Sequence, residues 1–300
     1  MVGASQVMTD AVHGRQEVAI LERVNHEVKE FRFTDRDFQY LRKLVNRETG
    51  IVITAAKREM VYSRLSRRLR ALSLTDFEDY CRVLERDEQG ELNAFINAIT
   101  TNLTSFFREP HHFDHLQNIV VPDLLNKNAA SRRIRIWSAG CSTGEEPYSI
   151  AIAMAEVLPD DWDCRILATD IDTDVLMKAE RGIYPLERVA SLPQSRLKRW
   201  FSRGSGTNQG LTRVGPELRE MITFRRLNLM EEWPVNGPID VLFCRNVVIY
   251  FDKETQRSIF DKFAERMAEN SRLFIGHSES LFKITNRFEL IGQTIYRKRT

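Results

Sequence analysis

Cysteine is scarce in this sequence, and its four cysteines are scattered. No two of them form a C-x-x-C pair and no histidine lies near them in the chain, which argues against a disulfide framework and against a zinc site. The histidines form no H-E-x-x-H motif, and the cluster of His111, His112 and His115 is better explained as structural than as metal-binding. We therefore expect no bound metal.

Long apolar segments are also missing. No run approaches the roughly 18 residues of a membrane-spanning helix, and the N-terminus lacks the apolar core of a signal peptide. A formal net charge of +2 over 300 residues does not indicate a nucleic-acid-binding or membrane-surface protein overall. We expect a cytoplasmic protein without membrane insertion, with enough chain for one large domain or two modest ones.

One stretch combines a strand, a glycine turn and a helix. Ile134 and Ile136 alternate with arginines ahead of Trp137, as in a short buried strand. Small residues follow from 138 to 144, and residues 149–158 are rich in Ala, Ile, Met and Leu, as in a helix. Open α/β sheets bind nucleotide-like ligands at such a strand–turn–helix unit.

The turn lacks both common phosphate-binding signatures, G-x-G-x-x-G and G-K-[ST]. Glu145 and Glu146 instead open the helix, where acids suit the helix dipole but would repel a pyrophosphate. The turn therefore favours a ligand with positive charge and hydroxyls, such as S-adenosylmethionine with its sulfonium, ammonium and ribose. An ordinary turn capped by acids explains this stretch equally well.

The region before this stretch predicts a small helical domain at residues 33–100, after a polar tail at 1–32. Four amphipathic segments follow one another with short links. Thr34 and Thr54 are candidate caps for the first two helices, and Thr75 with Glu78 forms a capping box before the third.

The second of these helices is unusually basic. Its cations are Lys57, Arg58, Arg64, Arg67, Arg68 and Arg70. They could form a solvated face, but six cations on one helix of a nearly neutral protein indicate an acidic partner. We take Arg64, Arg67 and Arg68 as the candidate contacts.

Two segments beside the glycine turn carry candidate ligand contacts. Asn102, Thr104 and Arg108 alternate and could face one site, where Arg108 would suit a ligand carboxylate. Asp170 follows a strand predicted at residues 164–168, a position that typically binds ribose hydroxyls. Asp170 could instead be only a helix cap, because Asp172 begins the next helix.

Residues 183–226 are too many for a connection inside a compact sheet. They contain a glycine-rich turn (Gly204, Gly206, Gly210) and two strand candidates, at 211–214 and 221–224. We interpret them as a small β-rich insertion with a strand edge that an extended peptide could join, or else as a decorated loop. Strand candidates at 272–276 and 288–296 could form a closing antiparallel hairpin.

Taken together, TTNLTSFFREPHHF, WSAGCSTGEEPYSIAI, ATDID, LNL and FCRNVVIYFD resemble the chemotaxis receptor methyltransferases, the CheR family, from residue 33 to the end. The resemblance implies an all-α domain joined to a Rossmann-like, S-adenosylmethionine-dependent α/β domain at 101–300, with a β-subdomain inserted at 183–226. It implies methyl transfer to glutamate side chains of chemoreceptors, which gives γ-glutamyl methyl esters and S-adenosylhomocysteine.

The resemblance also implies the roles of individual residues. The matching cofactor contacts are Asn102, Thr104, Arg108, Glu146, Asp170, Asn228, Leu229, Arg245 and Asn246. The turn with Gly204, Gly206 and Gly210 is similar to β-subdomains that dock a pentapeptide at the receptor C-terminus, a tether that not every member uses. The implied partner is the acidic helical region of a receptor, and this protein is expected to bind it as a monomer.

The implied chemistry asks for orientation rather than for a base. A glutamate carboxylate, with a pKa near 4.3, is already ionised at neutral pH. Most of the rate acceleration therefore comes from aligning the carboxylate with the methyl donor and from excluding water. Tyr250, together with Arg108, is our candidate near the reacting centre, unless Tyr250 is only an aromatic wall. The alternatives are an S-adenosylmethionine-binding scaffold without turnover and a nucleic-acid methyltransferase, although the N-P-P-Y motif of the latter is replaced by Arg245-Asn246-Val247.

Overall fold

The computed structural model describes residues 29–86 and 90–299. It shows an all-α N-terminal domain followed by a mixed α/β sheet with a small antiparallel sheet, which confirms the predicted fold class. Among the described residues, none of the helices combines the length and the apolar character of a transmembrane span.

The predicted polar tail overlaps the described residues only at 29–32, and residues 1–28 lie outside them. These four residues contact the helical domain. Phe31 is buried, Lys29 pairs with Glu59 at 2.6 Å, and Glu30 pairs with Arg70. The described end of the predicted tail therefore packs against the helical domain.

The helical domain contains α1 (Asp35–Thr49), α2 (Arg58–Ala71), α3 (Phe77–Arg86) and α4 (Glu91–Ile99), packed around a common apolar core. Thr34 caps α1 as predicted, through a reciprocal capping box with Asp37.

The caps predicted for the next two helices are not present. Thr54 makes no hydrogen bond from its side chain to the helix and precedes a short 3-10 turn, Ala55–Lys57. At α3 the cap is Asp76 rather than Thr75, since the Asp76 carboxylate accepts the N–H of Asp79 at 2.9 Å.

The α/β domain begins with α5 (Pro110–His115), which continues through a π-helical turn, Leu116–Val120, into α6 (Val121–Lys127). The other helices are α7 (Glu145–Ala155), α8 (Thr173–Arg181), α9 (Leu186–Val189), α10 (Gln194–Trp200), α11 (Pro216–Glu220) and α12 (Lys253–Arg266).

The strands form two sheets. In chain order they are β1 (Arg133–Ala139), β2 (Asp163–Asp170), β3 (Ile183–Pro185), β4 (Phe201–Arg203), β5 (Leu211–Val214), β6 (Ile222–Arg226), β7 (Ile239–Cys244), β8 (Met267–Ile275), β9 (Phe288–Gly292) and β10 (Ile295–Lys298). The main sheet has the order β6-β2-β1-β7-β8-β10-β9, and the small sheet has the order β3-β5-β4. Strands β6, β2, β1, β7 and β8 run parallel, so their carboxyl ends meet at one edge.

The predicted antiparallel pairing between residues 272–276 and 288–296 is present, but the second segment is divided between two strands. Residues 288–296 were expected to form one strand paired with 272–276. They instead supply β9 and the start of β10, which turn at Gln293 and Thr294, and Thr294 has a φ of +56°. The hairpin is β9–β10, and β8 runs parallel to β7 and antiparallel to β10.

The strand candidate at 221–224 was assigned to the wrong sheet. It forms β6, which pairs in parallel with β2 at the edge of the main sheet. Burial explains this placement, since Ile222 belongs to the main core and lies opposite Ile166 of β2 in the sheet. The third strand of the small sheet is β3, which begins immediately after Gly182 at the end of α8.

The helical domain covers the carboxyl edge of the main sheet. The N–H of Val52 donates to the carbonyl of Tyr250 at 2.8 Å, and the amide of Asn97 donates to Thr173 Oγ1 at 2.9 Å. A cleft lies between the two parts as a result.

Candidate active site

The cleft measures about 1160 Å³ with its open mouth included. The helical domain lines one wall with Ile53, Lys57 and Met60, and the turns after β1, β2 and β7 line the other. The structure brings into this lining all nine positions for which we predict cofactor contacts, together with Tyr250: Asn102, Thr104, Arg108, Glu146, Asp170, Asn228, Leu229, Arg245 and Asn246. Their contact with a ligand stays a prediction.

The glycine turn after β1 permits a close approach between two loops. Gly140 has a φ of +86°, and a Cβ at this position would lie 2.3 Å from Cγ2 of Val247. Its N–H donates to the carbonyl of Thr169 at 2.8 Å. Only glycine satisfies both the left-handed backbone and the contact, so the turn lies tightly between the ends of β2 and β7.

Asp170 ends β2 beside this turn and is buried. Its Oδ2 accepts the N–H of Ser142 at 2.8 Å, and its Oδ1 accepts the N–H of Asp172 at 3.0 Å. The cap of α8 is Asp172, which accepts the N–H groups of Asp174 and Val175, so the alternative role of Asp170 as that cap is excluded. A carboxylate has about four acceptor positions, so Asp170 retains acceptor capacity toward the cleft.

Burial raises the pKa of Asp170 to about 6, against the smaller opposing effect of its backbone hydrogen bonds. The carboxyl group is therefore poised to gain or lose a proton near neutral pH. Only its ionised form offers all of its acceptor positions.

Glu146 and Arg245 form a buried pair on the floor of the cleft. Arg245 donates to Glu146 at 3.0 Å, and Ser138 Oγ donates to the same carboxylate at 2.8 Å. Burial raises the pKa of Glu146, opposed by the charge of Arg245. Arg245 also donates to the backbone carbonyl of Arg108 and lies 3.2 Å from Glu109, so it joins the loop at 101–109 to the end of β7.

Glu109 lies behind this pair, where His277 Nδ1 contacts its carboxylate at 2.8 Å. Although burial opposes it, hydrogen bonding to His277 and the charge of Arg245 lower the pKa of Glu109 to about 2. Glu109, His111 and His112 have ligand atoms within 4.8 Å of one another. Glu109 is already paired with Arg245, and that cation would repel a metal ion at this position.

Two of the predicted contacts also connect parts of the protein. The amide of Asn102 donates to Asp172 at 2.7 Å, and its backbone carbonyl accepts from Ser142 Oγ at 3.0 Å. The amide of Asn228 donates to the carbonyl of Glu48 in α1 at 2.7 Å. These bonds fix the loop at 101–109 and the helical domain against the cleft.

The candidate catalytic residues line the cleft and are only partly buried. Tyr250 ends a short 3-10 turn, Val248–Tyr250, and Lys57 Nζ lies 5.4 Å from the centre of its ring. Arg108 donates to the carbonyl of Leu103 at 3.0 Å and lines the same cleft. Lys57, Arg108 and Tyr250 therefore bring two cations and one hydroxyl to the lining of the cleft.

The basic helix differs from the prediction. We expected Arg64, Arg67 and Arg68 to present their charges to a partner. Arg64 instead donates to the backbone carbonyls of Ile99 and Thr100, and Arg68 pairs with the buried Glu91. These bonds do not favour partner binding by Arg64 or Arg68, whereas Arg67 is exposed and no described residue pairs with it.

The three glycines of the insertion lie outside the cleft lining, in the turn between β4 and β5. Gly206 and Gly210 have φ values of +58° and +87°, and open space surrounds the position of a Cβ at each. Gly204 does not have a left-handed backbone, and its Cβ would lie 2.2 Å from the carbonyl oxygen of Asn208. Strands β3 and β4 are the two edges of the small sheet.

Sequence reasoning missed two groups of residues. Glu279 accepts backbone N–H groups from the turn after β7. Tyr184 Oη in β3 donates to the carbonyl of Thr143 in the glycine turn at 2.7 Å, and Arg188 in α9 pairs with the buried Glu145 at the start of α7. These contacts join the insertion to the glycine turn and to the helix that follows it. No sequence motif marked these residues, because their partners are distant in the chain.

A parallel sheet closed by an antiparallel hairpin, with a glycine turn after β1 and a buried acid at the end of β2, defines a Rossmann-like S-adenosylmethionine-dependent methyltransferase. The polar groups of the site fit this cofactor, because the Asp170 carboxylate can accept hydrogen bonds from hydroxyls. The helix after the glycine turn begins with acidic residues, which do not favour a phosphate-containing ligand.

Comparisons with known proteins identify the family. Residues 102–297 match the family described as CheR methyltransferase, SAM binding domain, and residues 36–100 match CheR methyltransferase, all-alpha domain. The chain belongs to the CheR methyltransferase family, as the sequence resemblance predicted.

Two relatives and one solved structure illustrate the similarity. Chemotaxis protein methyltransferase 2 of Pseudomonas aeruginosa is 47% identical over 270 residues, 89% of this chain and 95% of the relative. The chemotaxis protein methyltransferase of Escherichia coli K12 is 46% identical over 268 residues, 88% of this chain and 91% of the relative. Magnesium protoporphyrin IX methyltransferase of Synechocystis PCC 6803 with bound SAM is 15% identical, with a TM-score of 0.33 and coverage of 71% and 93%, a similarity too distant to bear on function.

Proposed function

We propose that this protein transfers the methyl group of S-adenosylmethionine to glutamate side chains of methyl-accepting chemotaxis receptors, as a monomer. Family membership supports the receptor as substrate. The observation that carries the proposal is that Lys57, Arg108 and Tyr250, from three separate segments, line the cleft that contains all nine predicted cofactor positions. An anionic side chain entering there meets positive charge.

The protein's contribution to the reaction is binding and orientation. S-adenosylmethionine supplies an electrophilic methyl group on its sulfonium. The acceptor glutamate is ionised near neutral pH, so no residue has to remove a proton from it. Lys57 and Arg108 would attract the carboxylate, and the hydroxyl of Tyr250 would donate a hydrogen bond to it. The wall formed by Ile53 and Met60 excludes water, which strengthens these interactions.

The proposed partner surface extends beyond the cleft. Arg67 on α2, which is exposed, would meet the acidic helical region that carries the receptor methylation sites. An extended receptor C-terminus, such as a pentapeptide, would add to an edge of the small sheet through main-chain hydrogen bonds. We propose no nucleic-acid partner, because the arginines of α2 other than Arg67 bond to groups of the protein itself: Arg58, Arg64, Arg68 and Arg70.

The direct test is transfer of tritium from labelled S-adenosylmethionine to a purified receptor fragment. Mild base should release the label as methanol, because the expected product is an ester. The matched control is a receptor fragment whose methylatable glutamates are replaced by alanine, which should remain unlabelled. Label that resists base would indicate another acceptor, and tight S-adenosylhomocysteine binding without any transfer would indicate a scaffold.

A further inference from the structure

Glu279 lies in the loop after β8, and only 6% of its surface is exposed. Its carboxylate accepts four backbone N–H groups. Oε2 accepts from Gly276 at 2.6 Å and from Asn246 at 2.8 Å, while Oε1 accepts from Val248 at 2.9 Å and from Ile249 at 3.3 Å. Three of these donors belong to the single loop that follows β7.

That loop, residues 245–250, forms part of the active site. Arg245, Asn246, Val247 and Tyr250 all line the cleft. Asn246 has a φ of +59°, a left-handed conformation that is uncommon outside glycine and needs support from its surroundings. The contact of Val247 with Gly140 places the loop directly against the glycine turn, so a small displacement of the loop would change the shape of the cofactor site.

We infer that Glu279 is a positioning residue, whose carboxylate fixes the 245–250 loop so that Asn246 and Tyr250 face the cleft. Glu279 itself does not line the cleft and acts only through the loop. The inference concerns the cofactor site and does not depend on which protein is methylated.

The chemistry of the side chain explains why a carboxylate is needed. An ionised carboxylate only accepts hydrogen bonds and has two oxygens, so it can satisfy four converging N–H groups. A glutamine of the same shape would turn an NH2 group toward two N–H donors. Those donors would then be buried without a partner. The lost hydrogen bonds would destabilise the conformation of the 245–250 loop rather than the rest of the fold.

Glu279→Gln tests the inference, with Glu269→Gln as the matched control, because Glu269 is exposed and carries the same charge. Calorimetric titration with S-adenosylhomocysteine should show about ten-fold weaker binding for Glu279→Gln and unchanged binding for Glu269→Gln. Hydrogen exchange followed by mass spectrometry should show faster exchange in residues 245–250 of Glu279→Gln, with exchange in α1–α4 unchanged. Both measurements use the full chain without receptor, so they are independent of the receptor-methylation test.

Glu279→Asp provides a second variant, since it keeps an acceptor-only carboxylate on a shorter side chain. It should bind S-adenosylhomocysteine more tightly than Glu279→Gln and less tightly than the wild type. Wild-type affinity and exchange in Glu279→Gln would overturn the inference. Faster exchange throughout the chain, with Asp and Gln variants equally impaired, would also overturn it, because Glu279 would then contribute only to general stability.

Discussion

The guanidinium of Arg68 and the carboxylate of Glu91 form a two-point contact between α2 and α4, with Nε of Arg68 2.9 Å from Oε1 of Glu91. Glu91 is only 4% exposed, and the hydroxyl of Tyr80 donates to the same carboxylate at 2.9 Å. Arg68 is therefore a partly exposed structural contact that pairs with a buried acid, although its position on a basic helix favoured a free surface charge.

Truncation of Arg68 should destabilise the helical domain. Arg68→Ala leaves the carboxylate of Glu91 buried with one partner fewer, which should lower the free energy of unfolding by about 1–3 kcal/mol. Arg67→Ala, one position away and exposed, should change it by less than about 0.5 kcal/mol. Urea denaturation of both variants measures the difference, and equal stabilities would show that the Arg68–Glu91 pair contributes nothing net.

Charge reversal at Arg67 should affect the receptor and not the cofactor. Arg67→Glu places an acid opposite the proposed acidic helices, so methylation of a receptor fragment should slow and its salt dependence should weaken. Affinity for S-adenosylhomocysteine should stay at the wild-type value. Lys43→Glu, the same change at an exposed position of α1, is the control. Equal methylation rates for the wild type, Arg67→Glu and Lys43→Glu would show that the exposed face of α2 does not contact the receptor.

Replacement of Asp170 should weaken cofactor binding. Asp170→Ala would remove the proposed charge-assisted hydrogen bond to the ribose, worth roughly 1.5–3 kcal/mol, so affinity for S-adenosylhomocysteine should fall about ten-fold or more. Calorimetry on the folded variant measures this loss. An unchanged affinity would remove Asp170 from the predicted binding residues.

The raised pKa of Asp170 adds a pH dependence to the same prediction. Below its pKa of about 6 the carboxyl carries a proton and loses acceptor capacity, whereas above it the ionised form predominates. Binding that prefers the ionised form should weaken as the pH falls from 7.5 to 5.5 and should release protons near pH 6. Titrations in buffers of different ionisation enthalpy measure that release, which Asp170→Ala should reduce.

A side chain at Gly206 should impair tethering alone. Gly206→Val strains a residue at φ +58° in the turn beside β4, without a steric clash. Binding of a receptor C-terminal peptide should be lost and methylation of tailed receptors slowed, while tailless receptors should be methylated as before. Gly90→Val imposes a similar strain in the helical domain, at φ +71°, and is the control. If Gly206→Val treats both receptor types as the wild type does, the small sheet is not a docking module.

Local patterns predicted those parts of the structure that are determined by nearby residues. The strand, the glycine turn and the helix around Gly140 were predictable because alternation, small residues and acids occur in sequence there. Residues 288–296 were not divided correctly, since the turn at Gln293 and Thr294 contains neither glycine nor proline.

Long-range contacts limited the rest of the prediction. The pairing partner of β6 depends on burial of Ile222 against residues far away in the chain, and sequence spacing carries no information about it. In the same way the roles of Arg64 and Glu279 depend on backbone groups 30 or more positions distant, for example Ile99 and Ile249.

The attachment of the small sheet has a consequence for building chimeras. Tyr184 and Arg188 contact the glycine turn through Thr143 and Glu145, whereas the β4–β5 turn contributes nothing to the cleft lining. Crossover points placed after β4 and before β5 would exchange only the exposed turn that carries Gly204, Gly206 and Gly210, and would leave both attachments intact. Receptor preference could then be swapped by a cassette of residues while the methyl-donor site keeps its own architecture.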